Sequence, residues 1–226
     1  MEPFIISEDG KRLKNIYPCP EELRTTANSV TDSEKFGIVQ QWLSEGIPCC
    51  FRECPLLYEA IRGWLGRAIK IHTKEITLIG SARIGYSLAP SDDYGRPFNN
   101  RSDLDFSAIS SVLFEKCVAA FELWLDDYQN EKISPRNPRE EYFWKDNAGI
   151  VPINIRQGFI DPYKIPTRPE YQTACDILDS LSRLHMKLKI TGYAPRVRKV
   201  TIRVYRDWWA AIKQLEINFS MIAESN

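Results

Sequence analysis

Apolar residues recur every three or four positions in five stretches of the chain, a spacing that predicts amphipathic α-helices. Thr31 and Glu34 form a capping-box pattern at the start of the first stretch, and Gly46 is a suitable helix end. The predicted helices run from Thr31 to about Gly46, from about Pro55 to Ala68, from about Val112 to Tyr128, from Glu170 to Arg183, and from about Trp208 to Phe219.

Short runs rich in β-branched and apolar residues lie between these helices and predict strands. We expect a central strand at Glu75–Ile79, a second at Leu104–Ile109 and a third at Ile150–Ile155. Apolar and polar residues also alternate over Met186–Ile190 and Val200–Val204, which predicts a hairpin, unless the second segment begins the last helix. The predicted fold class is α/β (α+β), a mixed sheet flanked by helices with C-terminal helical elements.

Length and composition indicate an ordinary globular protein. The 226 residues predict a single domain, with a core of about 30–160 and a C-terminal extension of about 161–226. Thirty basic residues balance 30 acidic ones, which argues against a dedicated nucleic-acid coat but not against a local basic groove. The first residues are acidic rather than basic, and no apolar run approaches the length of a membrane span. We therefore expect a cytoplasmic protein with no membrane attachment.

Candidate chemistry lies where two of the predicted strands begin or end. Gly80 and Ser81 follow the first strand, and glycine lets a backbone approach a phosphate closely while the Ser81 hydroxyl donates a hydrogen bond to it. Asp103 and Asp105 are two residues apart at the second strand, so their side chains project from the same face. Paired carboxylates and phosphate oxygens are the ligands that Mg²⁺ prefers. Arg83, just beyond the bend, is placed to hold a phosphate oxygen.

These residues resemble a known group of enzymes. Leu78-Ile79-Gly80-Ser81 followed by Ser102-Asp103-Leu104-Asp105-Phe106 is similar to the hallmark of the DNA polymerase β-type nucleotidyltransferase superfamily. The longer string from Gly80 to Pro90, with Gly95-Arg96-Pro97-Phe98, resembles a poorly characterised group of bacterial nucleotidyltransferase-like proteins.

The resemblance implies a specific activity. It implies transfer of a nucleotidyl group from a nucleoside triphosphate to a protein, RNA or nucleotide acceptor, with Mg²⁺ as the cofactor and a setting in bacterial stress or antiviral defence. Asp103 and Asp105 are then the catalytic, metal-binding residues. Gly80, Ser81, Arg83 and Ser102 are then expected to bind the nucleotide.

The superfamily pattern includes a third carboxylate on a later strand, and here the sequence departs from it. Asn154, on the predicted third strand, is the best-placed residue and offers one neutral oxygen as a metal ligand. Asp146 or Asp161 supplies the acid if the strand lies elsewhere. An asparagine at this position predicts weak or absent turnover, so the alternative function is a catalytically impaired module that binds nucleotides or partners.

A basic run near the end of the chain has two interpretations. Arginine and lysine are dense between Arg196 and Arg206, with Tyr193, Trp208 and Trp209 nearby. One interpretation is a groove that binds phosphates or RNA, with aromatic rings that stack on bases. The other is a solvated strand face with the tryptophans in the core, and the sequence favours this second interpretation.

Overall fold

A four-stranded mixed sheet organises the protein. The computed structural model describes residues 5–89 and 93–224, with side chains to residue 222, so Pro90 of the quoted string lies outside the described residues. The strands are β1 (Ile76–Leu78), β2 (Leu104–Ile109), β3 (Phe159–Ile160) and β4 (Val200–Tyr205). Their order is β1-β2-β4-β3; β2 and β4 are parallel, whereas β1 and β3 pair antiparallel with their neighbours. The strand predicted at Glu75–Ile79 is therefore present as β1, but it lies at an edge of the sheet and not at its centre.

Helices surround this sheet. In the described residues they are α1 (Glu8–Arg12), α2 (Pro20–Ser29), α3 (Asp32–Ile38), α4 (Pro55–Ile69), α5 (Gly80–Ile84), α6 (Ser111–Gln129), α7 (Pro138–Arg156), α8 (Gln172–Ile190) and α9 (Trp208–Glu224). A π-helical segment, Val39–Ser44, continues α3. The predicted mixed sheet with flanking helices and a C-terminal helix is thereby confirmed. No helix of the described residues is long and apolar enough to cross a membrane.

The two faces of the sheet differ in polarity because side chains alternate along each strand. Leu104, Phe106 and Ala108 of β2 point into the main core, which α4, α6 and α8 cover. On the other face, Ile109 packs against the start of α9, together with Tyr205 of β4. The remainder of that face is polar, and it stays open at the end of the sheet where β2 and β4 begin.

A second apolar cluster lies beside the sheet and joins the two ends of the chain. Leu23 of α2, Leu43 of the π-helical segment and Ile84 of α5 pack against Leu215 and other apolar residues of α9. Residues 5–30 have no clear apolar period, yet they contain α1 and α2, and α2 is held in place by this contact with α9. The C-terminal helix therefore forms one wall of the space above the polar face.

Local signals predicted several elements correctly. Both hydrogen bonds of the capping box at Thr31 and Glu34 are present. The helix predicted from Val112 to Tyr128 is α6, one residue longer at each end, and the helix predicted near Pro55 is α4.

The predicted third strand at Ile150–Ile155 is wrong, because these residues form the last turns of α7. Asn137 caps α7 by accepting a hydrogen bond from the Glu140 amide, and Pro138 occupies the first turn, where proline favours a helix. Trp144 and Val151 then face the core at helical spacing. Asn154 is consequently a residue of α7 and not of the sheet.

The predicted hairpin is also wrong, although one of its strands is present. Met186–Ile190 continues α8, since Leu181, Leu184 and Leu188 share its buried side. Val200–Tyr205 is indeed a strand, but it lies between β2 and β3 at the centre of the sheet. The segment predicted as a C-terminal extension thus contributes a central strand.

Candidate functional site

The bend after β1 lies directly beside β2. The Ile79 amide donates a hydrogen bond to the Asp105 carbonyl oxygen, with 3.1 Å between nitrogen and oxygen. Gly80 follows with a left-handed backbone, at φ +66°, which favours glycine. A Cβ atom at Gly80 would lie 3.8 Å from Oδ2 of Asp105. The bend and this carboxylate are therefore immediate neighbours.

Asp105 projects from the polar face of the sheet towards a cleft. Its Oδ1 accepts a hydrogen bond from the hydroxyl of Thr201, the residue directly opposite on β4. Burial raises the pKa of Asp105, and the negative charge of Asp103 raises it further, whereas the Thr201 hydrogen bond opposes this change. The Asp105 carboxylate is thus a partly desolvated charge that a cation would stabilise.

Asp103, two residues earlier, is already paired with basic side chains. Arg198 donates two hydrogen bonds to it, with distances of 2.9 Å and 2.8 Å to the two carboxylate oxygens, and the Lys199 ammonium lies 3.5 Å away. Partial burial alone would raise the pKa of Asp103, but the Arg198 hydrogen bonds and the nearby positive charges outweigh this and lower it. The two predicted metal ligands therefore have contrasting surroundings.

Two adjoining cavities form the cleft beside Asp105. They share Ile79, Gly80, Asp105 and Asn218, the last from α9. The larger cavity, about 630 Å³, is further lined by groups that include Asp161, Tyr163, Lys199, Thr201 and Arg203. The smaller one, about 400 Å³, is further lined by Ser81, Ser87 and Leu215 among others. Both lie in the size range of small-molecule sites, which is about 300–1,000 Å³.

Asp161 is the acid that follows β3, and it lines the larger cavity. Its side chain is 5% exposed and accepts two hydrogen bonds from Arg203 of β4, at 2.7 Å and 3.1 Å. The Arg203 guanidinium also lies over the Phe159 ring, 4.5 Å from its centroid. Asp146 and Asp161 were the two alternatives for the third acid in the sequence. Asp146 is an exposed residue of α7, whereas Asp161 lies at a strand end in the cleft, with a protein cation as its partner.

The structure brings together only part of the predicted nucleotide-binding set. Gly80 and Ser81 line the cleft with Asp105. Arg83 is 2% exposed, and its guanidinium donates to the Ile47 carbonyl at 2.7 Å, so it holds the chain after the π-helical segment. Ser102 accepts a hydrogen bond from the Asn99 amide and stabilises the turn before Asp103.

Sequence reasoning missed several residues of the cleft. Thr201 and Lys199 were part of a basic, alternating segment, and nothing in that pattern indicated that it pairs with the strand of Asp105. Asn218 lies on α9, far away in the sequence. The only available signal was the alternation over Val200–Val204, which places Thr201 and Arg203 on one strand face.

The basic residues between Arg196 and Arg206 contact different partners and do not line one common groove. Arg198 and Lys199 contact Asp103, Arg203 contacts Asp161, and Arg196 donates to the Lys189 carbonyl. Arg206 lies at the other end of the strand. Trp208 and Trp209 are exposed rather than buried in the core, which contradicts that part of the favoured interpretation.

The donor atoms of the cleft fit a hard cation held by few protein ligands. No group of three or more His, Cys, Asp or Glu side chains within the described part of the chain is placed to hold a metal ion. Mg²⁺ is, however, commonly bound through one or two carboxylates plus substrate phosphates. Asp105 lines both cavities, whereas Asp103 lines neither and lies two residues before it, at the edge of the cleft. Arg198 has to leave Asp103 before that carboxylate can bind a cation, and the Arg198 side chain is 64% exposed, so water can solvate the released guanidinium.

Comparison of the chain with protein-family models, with curated proteins and with solved structures returned no match. The geometry of the cleft and the motif in the sequence are therefore the features that bear on function.

Proposed function

We propose that the protein is a Mg²⁺-dependent nucleotidyltransferase that uses a nucleoside triphosphate. One observation carries the proposal: the Gly80-Ser81 bend and Asp105 form neighbouring walls of a single cleft, with Asp103 two residues away. Nucleotidyl transfer requires a phosphate site next to a divalent cation. Here the bend leaves room for a phosphate, and the carboxylates beside it can bind the cation.

Each part of the cleft has a defined role in this proposal. Asp103 and Asp105 hold the metal, which when bound neutralises phosphate charge and polarises the phosphorus centre under attack. The Ser81 hydroxyl donates a hydrogen bond to a phosphate oxygen. Lys199 lines the larger cavity and supplies a further positive charge for the triphosphate.

The apolar part of the larger cavity suits the base. Tyr163, Leu178 and Leu181 line it, and Tyr163 is more than half exposed, so its ring is accessible to a planar partner. Asp161, the acid at the end of β3, takes the third position in this proposal, for which the sequence favoured the neutral Asn154. It acts through Arg203, which it orients within the cleft.

The experiment is pyrophosphate release from labelled nucleoside triphosphates with Mg²⁺, supplied with candidate protein, RNA and nucleotide acceptors. Asp103→Ala combined with Asp105→Ala is expected to abolish release. The matched control, Asp176→Ala with Asp179→Ala, removes two exposed carboxylates from α8 and is expected to retain it. Equal release by the wild type and the cleft variant would exclude the proposed chemistry.

A second candidate is a module of the same fold that binds nucleotides or partners without turnover. It is favoured by the pairing of Asp103 with Arg198 and of Asp161 with Arg203, because protein cations then occupy two of the three acids. Calorimetry separates the candidates, since nucleotide binding without pyrophosphate release supports the module. A cytoplasmic location and a role in bacterial stress or antiviral defence remain predictions from the sequence.

A further inference from the structure

A second groove lies on a different side of α9 from the cleft. Leu215, Asn218 and Phe219 of α9 face the cleft, whereas Trp209 and Lys213 face this groove. Its volume is about 540 Å³. The lining that matters here consists of Phe36, Arg156, Arg206, Trp209, Lys213 and Glu216, and we refer to it as the Trp209 groove.

An exposed indole dominates the groove. Trp209 is 76% exposed, although it is the largest apolar side chain type and is usually well buried. Phe36 of α3 supports it from one side, with ring centroids 6.0 Å apart and planes tilted by 30°. The indole is therefore held in position while most of its surface remains available to a planar partner.

Positive charge surrounds this indole. Arg156, at the end of α7, and Lys213, one turn after Trp209, are exposed and form no ion pair with any described carboxylate. Arg206 is half exposed and is paired at 2.9 Å with its neighbour Asp207. Glu216 is the acidic residue of the lining, so cations outnumber acids there although the whole chain is neutral.

We propose that the Trp209 groove binds a single-stranded nucleic acid. A base stacks on Trp209, and the phosphates on either side contact Arg156, Arg206 and Lys213, which is the combination that sequence-tolerant single-strand sites use. An acidic peptide would satisfy the cations, but it presents a planar face to the indole only where it carries an aromatic or arginine side chain, whereas every nucleotide carries a base. A duplex keeps its bases stacked inside, so it leaves Trp209 without a partner. This inference does not depend on the proposed transfer activity.

The test is fluorescence anisotropy of a labelled ten-nucleotide oligouridine with the full chain. Trp209→Ala is expected to weaken binding by about tenfold, since that is the usual range for one base stack. The matched control is Trp208→Ala, which removes a neighbouring indole that is 42% exposed and is not part of the groove; it is expected to change affinity less than twofold.

Salt dependence tests the electrostatic part. Three phosphate contacts predict a slope of log affinity against log salt of about −2 for a single strand. Lys213→Glu is expected to reduce that slope, whereas Lys116→Glu, an exposed lysine on α6, leaves it unchanged. Circular dichroism establishes that each variant is folded.

Three results would overturn the inference. The first is an equal loss of oligomer affinity in Trp209→Ala and Trp208→Ala. The second is an affinity that is independent of salt. The third is displacement of the oligomer by uridine monophosphate at the same nucleotide concentration. Nucleoside triphosphate binding in the cleft is measured separately and is expected to be unchanged in the groove variants. A failure of the proposed transfer activity therefore leaves this test intact.

Discussion

Replacing Asp161 by asparagine tests how the floor of the cleft is held. The Asp161 carboxylate is 5% exposed, and both of its oxygens accept hydrogen bonds from Arg203. Asparagine keeps the shape but removes the charge, so the guanidinium loses its counter-ion. Removing one partner of a buried pair costs about 3–5 kcal/mol. The Arg203 side chain is 32% exposed, so water in the cleft partly replaces the lost contact and places the cost near or below about 3 kcal/mol.

Urea unfolding measures this cost directly. For a chain of this length, about 3 kcal/mol also corresponds to a fall in Tm of about 6–12 °C. Asp179→Asn is the matched control, because its carboxylate lies 3.9 Å from Arg183 with both side chains about 70% exposed, and a change within about 0.5 kcal/mol is expected. Adding Arg203→Met to Asp161→Asn is expected to recover part of the loss, since no unpaired charge then remains.

The result that would refute this reasoning is a loss of less than about 1 kcal/mol from Asp161→Asn, which is the range of exposed pairs. A double variant that loses the sum of the two single losses would also contradict it, because independent sites add and a coupled pair does not. In either case the two side chains would not stabilise each other across the cleft.

Three further predictions concern the bend, the chain start and the acid pair. Gly80→Ala is expected to lower the free energy of unfolding in urea by about 1–2 kcal/mol, because Gly80 has a left-handed backbone. Gly158→Ala is expected to cost more, because its Cβ would also lie 2.7 Å from a side chain of α9. Hydrogen bonds from backbone amides lower the pKa of Glu34 to about 2. The Glu34 carboxylate therefore stabilises the fold above about pH 5, and this contribution is lost as the pH falls towards 2. Glu34→Gln should flatten that part of a curve of unfolding free energy against pH. Arg198→Ala should raise the pKa of Asp103 in an NMR titration and strengthen Mg²⁺ binding in calorimetry; an unchanged pKa would contradict the observed pairing.

The proposed function and the groove assign different tasks to the two sides of α9. On one side the helix completes the cleft through Leu215 and Asn218, and on the other it presents Trp209 to solvent. If both proposals hold, a nucleic acid bound in the groove is held close to a site that transfers nucleotidyl groups. Pyrophosphate release by Trp209→Ala, measured with and without the oligomer, tests whether that strand is the acceptor.

The sequence by itself determined the features that depend on short segments. The capping box at Thr31, the apolar faces of α4 and α6, and the short strand Leu104–Ile109 each follow from residues a few positions apart. The same local logic placed Gly80 at a bend, since a left-handed backbone favours glycine.

Only the tertiary structure decided which segments pair and which side chains meet. Val200–Tyr205 reads as a strand in isolation, but its position between β2 and β3 depends on burial against α6 and α8, which no local pattern records. That pairing sets Thr201 beside Asp105, brings Arg203 to Asp161 and leaves Arg198 on Asp103. Charges that are far apart in sequence become neighbours through strand order, and strand order is a property of the whole core.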